Sequence, residues 1–180
     1  MNLQPQHLQN DQVTLVPLAA DDFERLYAVA CDPLIWEQHP NKNRYQEAVF
    51  RTYFEGALAS GGAFIICNTV TSQPIGSTRF YDFDADKREV LIGYTFFARS
   101  HWGTTYNRAT KTLMLDYAFQ FVDKVIFHIG ARNTRSQIAI GRLGAVKVGE
   151  EPIEYYGETP QLNFVYEISK QAWQQRTPQP

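Results

Sequence analysis

Cysteine is scarce: Cys31 and Cys67 are the only two in 180 residues. Both stand in apolar surroundings, in AVACDPLIW and AFIICNTV, and match no metal-ligand spacing. That excludes a disulfide framework and predicts two buried, reduced thiols in a reducing compartment. No apolar run approaches the roughly 18 residues of a membrane span, and the opening MNLQPQHLQNDQ lacks the basic and apolar regions of a signal peptide. A cytoplasmic protein that does not engage the membrane is expected. No dense block of Lys and Arg occurs, and a formal net charge of −2 disfavours extended nucleic-acid binding. Internal repeats are absent too.

What is present is the material of one core. At this length about 70% of the unfolded chain's surface is buried on folding, and 44% of the residues are hydrophobic. Residues 1–173 read as a single domain, and the polar QQRTPQP at 174–180 as a disordered tail with nothing to bury.

Periodicity orders the elements. VTLVPL at 13–18 reads as a strand, and Asp21 and Asp22 as the cap of a helix through LYAVA that Asp32-Pro33 closes. A second helix spans 45–59, stopped by Ser60-Gly61-Gly62. AFIICNTV, PIGSTRFYDF and EVLIGYTFF, joined by the turns TSQP and DADK, form an antiparallel meander. A long helix over 105–122 then leads to KVIFHI, an uninterrupted apolar run suited to a strand buried on both faces. EVLIGYTFF, this helix and KVIFHI resemble a β-α-β crossover, so their strands should be parallel. A short helix over 136–143 and a hairpin of AVKVGEEPIEYY and LNFVYEI around Gly157 complete an α+β domain with a mixed sheet.

The turn ARSHWGTTYN at 98–107 is the place for chemistry. A small, hydroxyl-rich turn opening a helix presents unpaired N–H groups and the positive end of the helix dipole to an anion, with phosphate the natural guest. It lacks the GK[ST] of a Walker loop, and the single Gly103 does not make a GxGxxG pattern.

IGYTFFARSHWGTTYNRATKTLMLDYAF resembles the central motif of the GNAT superfamily of acetyl-CoA-dependent N-acetyltransferases, in which a bulged strand runs into an (R/Q)xxGx(G/A) loop. ARNTRSQIAIGRLGAVKVGE is similar to the family's NxxS segment, and IGSTRFYDFD resembles its preceding strand. The likeness extends over nearly the whole chain and is nearest to the ribosomal-protein N-terminal acetyltransferases.

The resemblance implies a mostly antiparallel central sheet of about seven strands with helices on both faces. It also implies acetyl-CoA as co-substrate and a primary amine acceptor, either a protein N-terminus or a small molecule, with direct transfer in a ternary complex. Carried over by residue, the loop Ser100, Gly103, Thr104, Thr105, Tyr106 and Asn107 would hold the pyrophosphate. The strand end Phe96, Phe97 and Ala98 would pair with pantetheine, and Asn133 would contact the coenzyme. Ser136 occupies the position of a hydroxyl that protonates the departing thiolate. The sequence departs from the pattern at Ser100, where Arg or Gln is usual, at Thr105, and at Leu91, where a glutamate is frequent.

That leaves the general base open. Glu89 shares a strand face with Leu91, Asp82 and Asp84 lie nearby, and Glu150, Glu151 and Glu154 near the final hairpin form another set. Each is weighed against a plain solvated charge. His39, in the loop between the first two helices, is placed on the acceptor side, His101 within the phosphate loop, and His128 in the core. Trp36, Arg79 and Tyr81 are candidate walls of the acceptor pocket, with Tyr53, Phe83, Tyr94 and Phe96 as aromatic lining or core. A coenzyme-binding or interaction module that keeps the fold without turnover is the alternative, and a longer acyl donor a third reading. LNFVYEI, read as an exposed edge strand, offers a surface for homodimer pairing.

Overall fold

The computed structural model describes residues 1–155 and 159–176. Eight strands form one sheet: β1 (Leu8–Gln9), β2 (Val13–Pro17), β3 (Ala63–Asn68), β4 (Pro74–Asp84), β5 (Glu89–Phe97), β6 (Lys124–Gly130), β7 (Val146–Ile153) and β8 (Gln161–Ser169). Their order is β1-β2-β3-β4-β5-β6-β8-β7, antiparallel throughout except for the parallel pair β5 and β6. The helices are α1 (Phe23–Ala30), α2 (Glu47–Ala59), α3 (Tyr106–Ala118), α4 (Thr134–Gly141) and α5 (Lys170–Gln175). This is the mixed, mostly antiparallel sheet expected, with β1 as one strand more than the seven counted.

The period-two rule explains the layering. On β3, Phe64 and Ile66 enter the core under α3, α4 and α5, while Ala63, Ile65 and Cys67 enter the core under α1 and α2. A strand that is apolar at every position is therefore a strand with a hydrophobic layer on each side. β6 differs from that and from the strand buried on both faces that its sequence suggests: Val125, Phe127 and Ile129 turn toward α3, but Ile126 and His128 on the other face line a depression rather than a second core.

Several local expectations are corrected. LNFVYEI is not an edge: β8 lies between β6 and β7, and the outer strands of the described sheet are β1 and β7. Sequence order suggests that a last strand is outermost, but β8 pairs with β6 along its whole length and displaces β7 to the rim. Cys31 is exposed: α1 ends at Ala30, and although its neighbours Ala30, Ile35 and Trp36 are buried in the core, the cysteine itself stands outside it. Asp22 does not cap forward into α1. Its carboxylate accepts from the Ala19 amide at 2.9 Å and from Arg25 at 2.8 Å. α5 continues through Gln175, two residues into the segment read as tail, because Trp173 on its inner side packs into the core. Gly157 and residues 177–180 lie outside the described residues. Among the described residues no helix is long and apolar enough to cross a membrane.

Candidate active site

The site begins where β5 and β6 part. Their pairing holds for Glu89, Val90 and Leu91 against Lys124, Val125 and Ile126, then stops. The cause lies on the other edge of β5. Ser77 pairs with Phe96 and Arg79 with Gly93, so Thr78 alone opposes Tyr94 and Thr95. That extra residue is a β-bulge, which bends β5 and increases its twist. Tyr94 carries the strain, with φ at +53°, a region costly for a residue with a side chain. Two contacts hold it: Tyr53 Oη donates to the Tyr94 carbonyl at 2.9 Å, and the Arg79 guanidinium lies 3.8 Å from the Tyr94 ring centroid.

Beyond the split, a cleft of about 800 Å³ runs between Ile92–Phe97 of β5 and Phe127–Gly130 of β6 to the loop that opens α3. In that loop the amides of His101 and Trp102 bond to Ala98 and Arg99, which leaves those of Gly103, Thr104 and Thr105 without a backbone acceptor among the described residues. The loop is tied down from behind. Trp102 Nε1 donates to the Phe97 carbonyl at 3.0 Å, Thr104 Oγ1 to the His101 carbonyl at 2.6 Å, and Thr105 Oγ1 to Gln12 Oε1 at 2.7 Å. Gly103 has φ +71°, and a Cβ there would meet nothing within 4 Å, so the space above its backbone is open. Arg44, Arg108, Lys111, Arg135 and Arg142 are on the cleft wall, and among the described residues no Asp or Glu is. Free amides, a helix N-terminus and basic side chains together suit a polyanionic ligand such as the pyrophosphate of coenzyme A.

Of the residues singled out in sequence, the cleft brings together Trp36, His39, Phe96, Phe97, Gly103, Thr104, Thr105, Asn107, Asn133 and Ser136. Asn133 caps α4, its side-chain oxygen accepting from the Ser136 amide at 3.2 Å. Ala98, Ser100 and Tyr106 stay off the wall. Ser100 Oγ is 3.0 Å from His101 Nδ1, and Tyr106 Oη accepts from Asn68 at 2.6 Å. Arg79 and Tyr81 are behind the wall: Arg79 is buried and donates to the Gly56 carbonyl at 3.1 Å, and Tyr81 packs edge-on to Tyr94.

The acidic candidates fall elsewhere. Glu89 is bound by Lys124 at 2.9 Å and Lys87 at 3.7 Å, and lines a separate depression of about 670 Å³ with Asp82, Asp84 and Glu151. Glu89 is at the paired end of β5, before the strands diverge, so sharing a face with Leu91 does not bring it into the cleft. Glu150 is paired with Lys147 at 3.0 Å, and Glu154 is exposed beyond the end of β7. His39 packs edge-on to Trp36, and burial together with the Arg44 charge holds its pKa well below the ordinary value, so the ring is neutral at pH 7.

Two functional candidates were misread or missed. His128, expected in the core, lines the cleft two residues past the last β5–β6 pair, with Nε2 at 3.5 Å from Glu151 and a pKa lowered by burial. Lys111 is buried in the cleft floor, with Nζ 2.5 Å from Thr95 Oγ1 and 3.2 Å from Thr78 Oγ1. Its signal in the sequence is a lysine on the same helix stripe as Met114 and Ala118, a face that otherwise buries apolar side chains.

The model of the GNAT acetyltransferase domain matches residues 12–146. None of the curated proteins is similar enough in sequence to match. Among solved structures, a GNAT-family protein of Chromobacterium violaceum is 20% identical with a TM-score of 0.82, covering 94% of this chain and 89% of its own. A Vibrio cholerae spermidine N-acetyltransferase in complex with CoA and spermine is 16% identical, with a TM-score of 0.69 over 92% of this chain and 99% of its own. A second Vibrio cholerae protein, assigned as a ribosomal-protein-serine acetyltransferase, is 16% identical, with a TM-score of 0.70 over 90% and 96%. The family match covers three quarters of the chain, including the bulged strand, the loop and the following helix, and so this chain belongs to the GNAT acetyltransferases and is an acyltransferase.

Proposed function

We propose that the protein moves an acetyl group from acetyl-CoA to a primary amine, either a small molecule or a protein N-terminus, by direct transfer in a ternary complex. The observation that carries this is the bulge-driven parting of β5 from β6, which opens a cleft onto a loop of unpaired amides at the start of α3. The amides of residues 103–105 hold the coenzyme pyrophosphate, with Asn107 and Asn133 beside them, and the free edge of β5 at Phe96 to Ala98 pairs with the pantetheine amides. Bound there, the coenzyme supplies an activated acyl group.

The chain's residues do the rest. Trp36 and His39 bound the acceptor side. His128 is a neutral imidazole backed by Glu151, placed to take the proton the amine nitrogen loses as it bonds the acyl carbon. Ser136 passes a proton to the sulfur as the carbon–sulfur bond breaks, and the proton taken up by the imidazole returns through water to the Ser136 oxygen, which restores both groups. Neither Cys31, exposed at the end of α1, nor Cys67, buried on β3, lines the cleft, which supports transfer without a covalent enzyme intermediate. The ribosomal-protein branch is the nearer acceptor class by motif, and the spermidine enzyme keeps polyamines in view.

Calorimetric titration with acetyl-CoA, followed by an amine panel scored by thiol release, tests this reading. Micromolar binding and thiol release with at least one amine class are expected. Binding of neither acetyl-CoA nor CoA would overturn it.

A further inference from the structure

Lys111 stands out because nothing in the protein explains its charge. It lies on the face of α3 that buries Met114, Leu115 and Ala118, and is 3% exposed. A methionine there would fill the same volume without the cost of desolvating an ammonium. Among the described residues no charged partner acts on Nζ, and desolvation alone lowers its pKa from 10.5 to about 7.

Its surroundings are polar at one spot only. Nζ reaches Thr95, half of the bulge, and Thr78, the residue that the bulge opposes. The two hydroxyls are 2.9 Å apart, and Thr95 Oγ1 is also 3.3 Å from the Gly93 carbonyl. These bonds use two of the three N–H groups of a protonated lysine. Lys111 is one of the residues lining the cleft, so the third is left for a ligand there. A ligand with its phosphates at residues 103–105, running back along β5 from Phe97, meets the closed end of the cleft near Ile92, because the strands are paired up to Leu91. Its reactive end then lies at the bulge, beside Thr95 and Lys111.

We propose that Lys111 is a catalytic residue of acyl transfer, its third N–H donating to the carbonyl oxygen of the bound thioester and stabilising the negative charge that oxygen acquires. This rests on the transferase reading above. As the amine nitrogen bonds the acyl carbon, the carbonyl electron pair moves onto oxygen, where the ammonium meets it in a water-poor site. When the pair returns, the carbon–sulfur bond breaks and the thiolate leaves. Lys111 gives up no proton, and the amine's proton follows the route through His128.

A readout independent of turnover exists. With burial pulling its pKa down to about 7, Lys111 is partly neutral in the free protein at pH 7. A carbonyl that accepts its third N–H favours the charged form and draws a proton in. The other charged or titratable groups around the cleft are His39 and Arg44 before α2, Tyr94 on β5, His101 in the loop before α3, Arg108 on α3, His128 on β6, Arg135 on α4, Arg142 just past it, Tyr155 beyond β7, and Arg79 on β4 behind the wall. The arginines stay charged, and the histidines respond to the coenzyme itself, so CoA without an acyl group is the reference.

The test compares wild type with Lys111→Met and Lys111→Arg. A stable ketone analogue of acetyl-CoA and CoA itself are titrated at pH 7 in two buffers of different ionisation enthalpy, alongside steady-state kinetics and thermal melts. The wild type should take up as much as about half a proton more with the analogue than with CoA, and Lys111→Met should abolish the difference. Lys111→Met should lose about 100-fold in kcat with KM for acetyl-CoA within about threefold, melt no lower than wild type, and be partly rescued in Lys111→Arg. Unchanged kcat in Lys111→Met, or equal proton uptake with both ligands in the wild type, overturns the proposal. So does a variant that melts lower and binds CoA more weakly, since Lys111 would then be a structural pin. If the wild type shows the extra uptake yet acetylates no amine, the transferase reading falls and the carbonyl contact stands.

Discussion

The two edges of β5 behave in opposite ways. Toward β4 it is antiparallel and paired from Glu89 to Phe97 around two bulges, one on β5 opposite Thr78 and one on β4 between Tyr81 and Asp84, with contact so close that Gly76 carries no side chain: a Cβ there would come within 2.0 Å of the Phe96 carbonyl. Toward β6 it is parallel, paired over three residues, and then open. One strand is thus clamped along one side and released along the other. The bulge that keeps its register with β4 is what turns it from β6, so closure on one side is the physical cause of the cleft on the other.

Substitutions that close the open edge or loosen the closed one put this contrast to the test. Gly76→Ala strikes the closed edge hardest. It should cost about 3 kcal/mol, read as a lower denaturant midpoint, and a midpoint equal to wild type would mean the β4–β5 contact is looser than described. Gly103→Val acts on the open side, where the new Cβ meets no protein atom within 4 Å, so the side chain occupies the space above the loop and is strained at positive φ. Affinity for CoA should fall about 100-fold by calorimetry, with the sheet intact by circular dichroism.

His128→Gln sharpens the comparison at the second open position of β6. Burial lowers the His128 pKa from 6.5, so the wild-type rate should fall only as pH drops below that range and the base becomes protonated. The variant should lose about 10- to 100-fold at pH 7 and lose the acid limb of its pH–rate profile. The smallest effect is expected from Tyr53→Phe, which removes the 2.9 Å bond to the strained Tyr94 carbonyl. About 1 kcal/mol of stability should go, and KM for acetyl-CoA should rise if the bulge relaxes.

Much of the frame was legible in the sequence because it is encoded locally. Apolar alternation sets β2 to β6, but the apolar run in β6 suggests a strand covered on both sides, whereas one of its faces carries Ile126 and His128 along a depression. Gly61 and Gly144, both at positive φ, end their helices where expected. β1 and α5 were missed because they are two and six residues long, too short for a period to register. The loop at 98–107 was visible as a small hydroxyl-rich turn, and Asn133 and Ser136 as part of a spaced motif.

The contents of the cleft were less legible. Glu89 looked like a base because it is two residues from Leu91, but a lysine on the neighbouring strand claims it, and strand pairing is not written in local spacing. His128 sat in an apolar run and read as core, yet its position past the last β5–β6 pair puts it on a wall.

By itself, then, the sequence determined the identity and period of most elements, the parallel crossover and the hydroxyl-rich turn that opens α3, because each depends on residues close along the chain. The tertiary structure alone decided that β8 lies inside the sheet, that β5 parts from β6, and that Lys111, Thr95 and Thr78 share one polar spot in an apolar floor. Those depend on how far a bulged strand bends from its neighbour and on which side chains that bend leaves facing each other, and no local pattern carries that information.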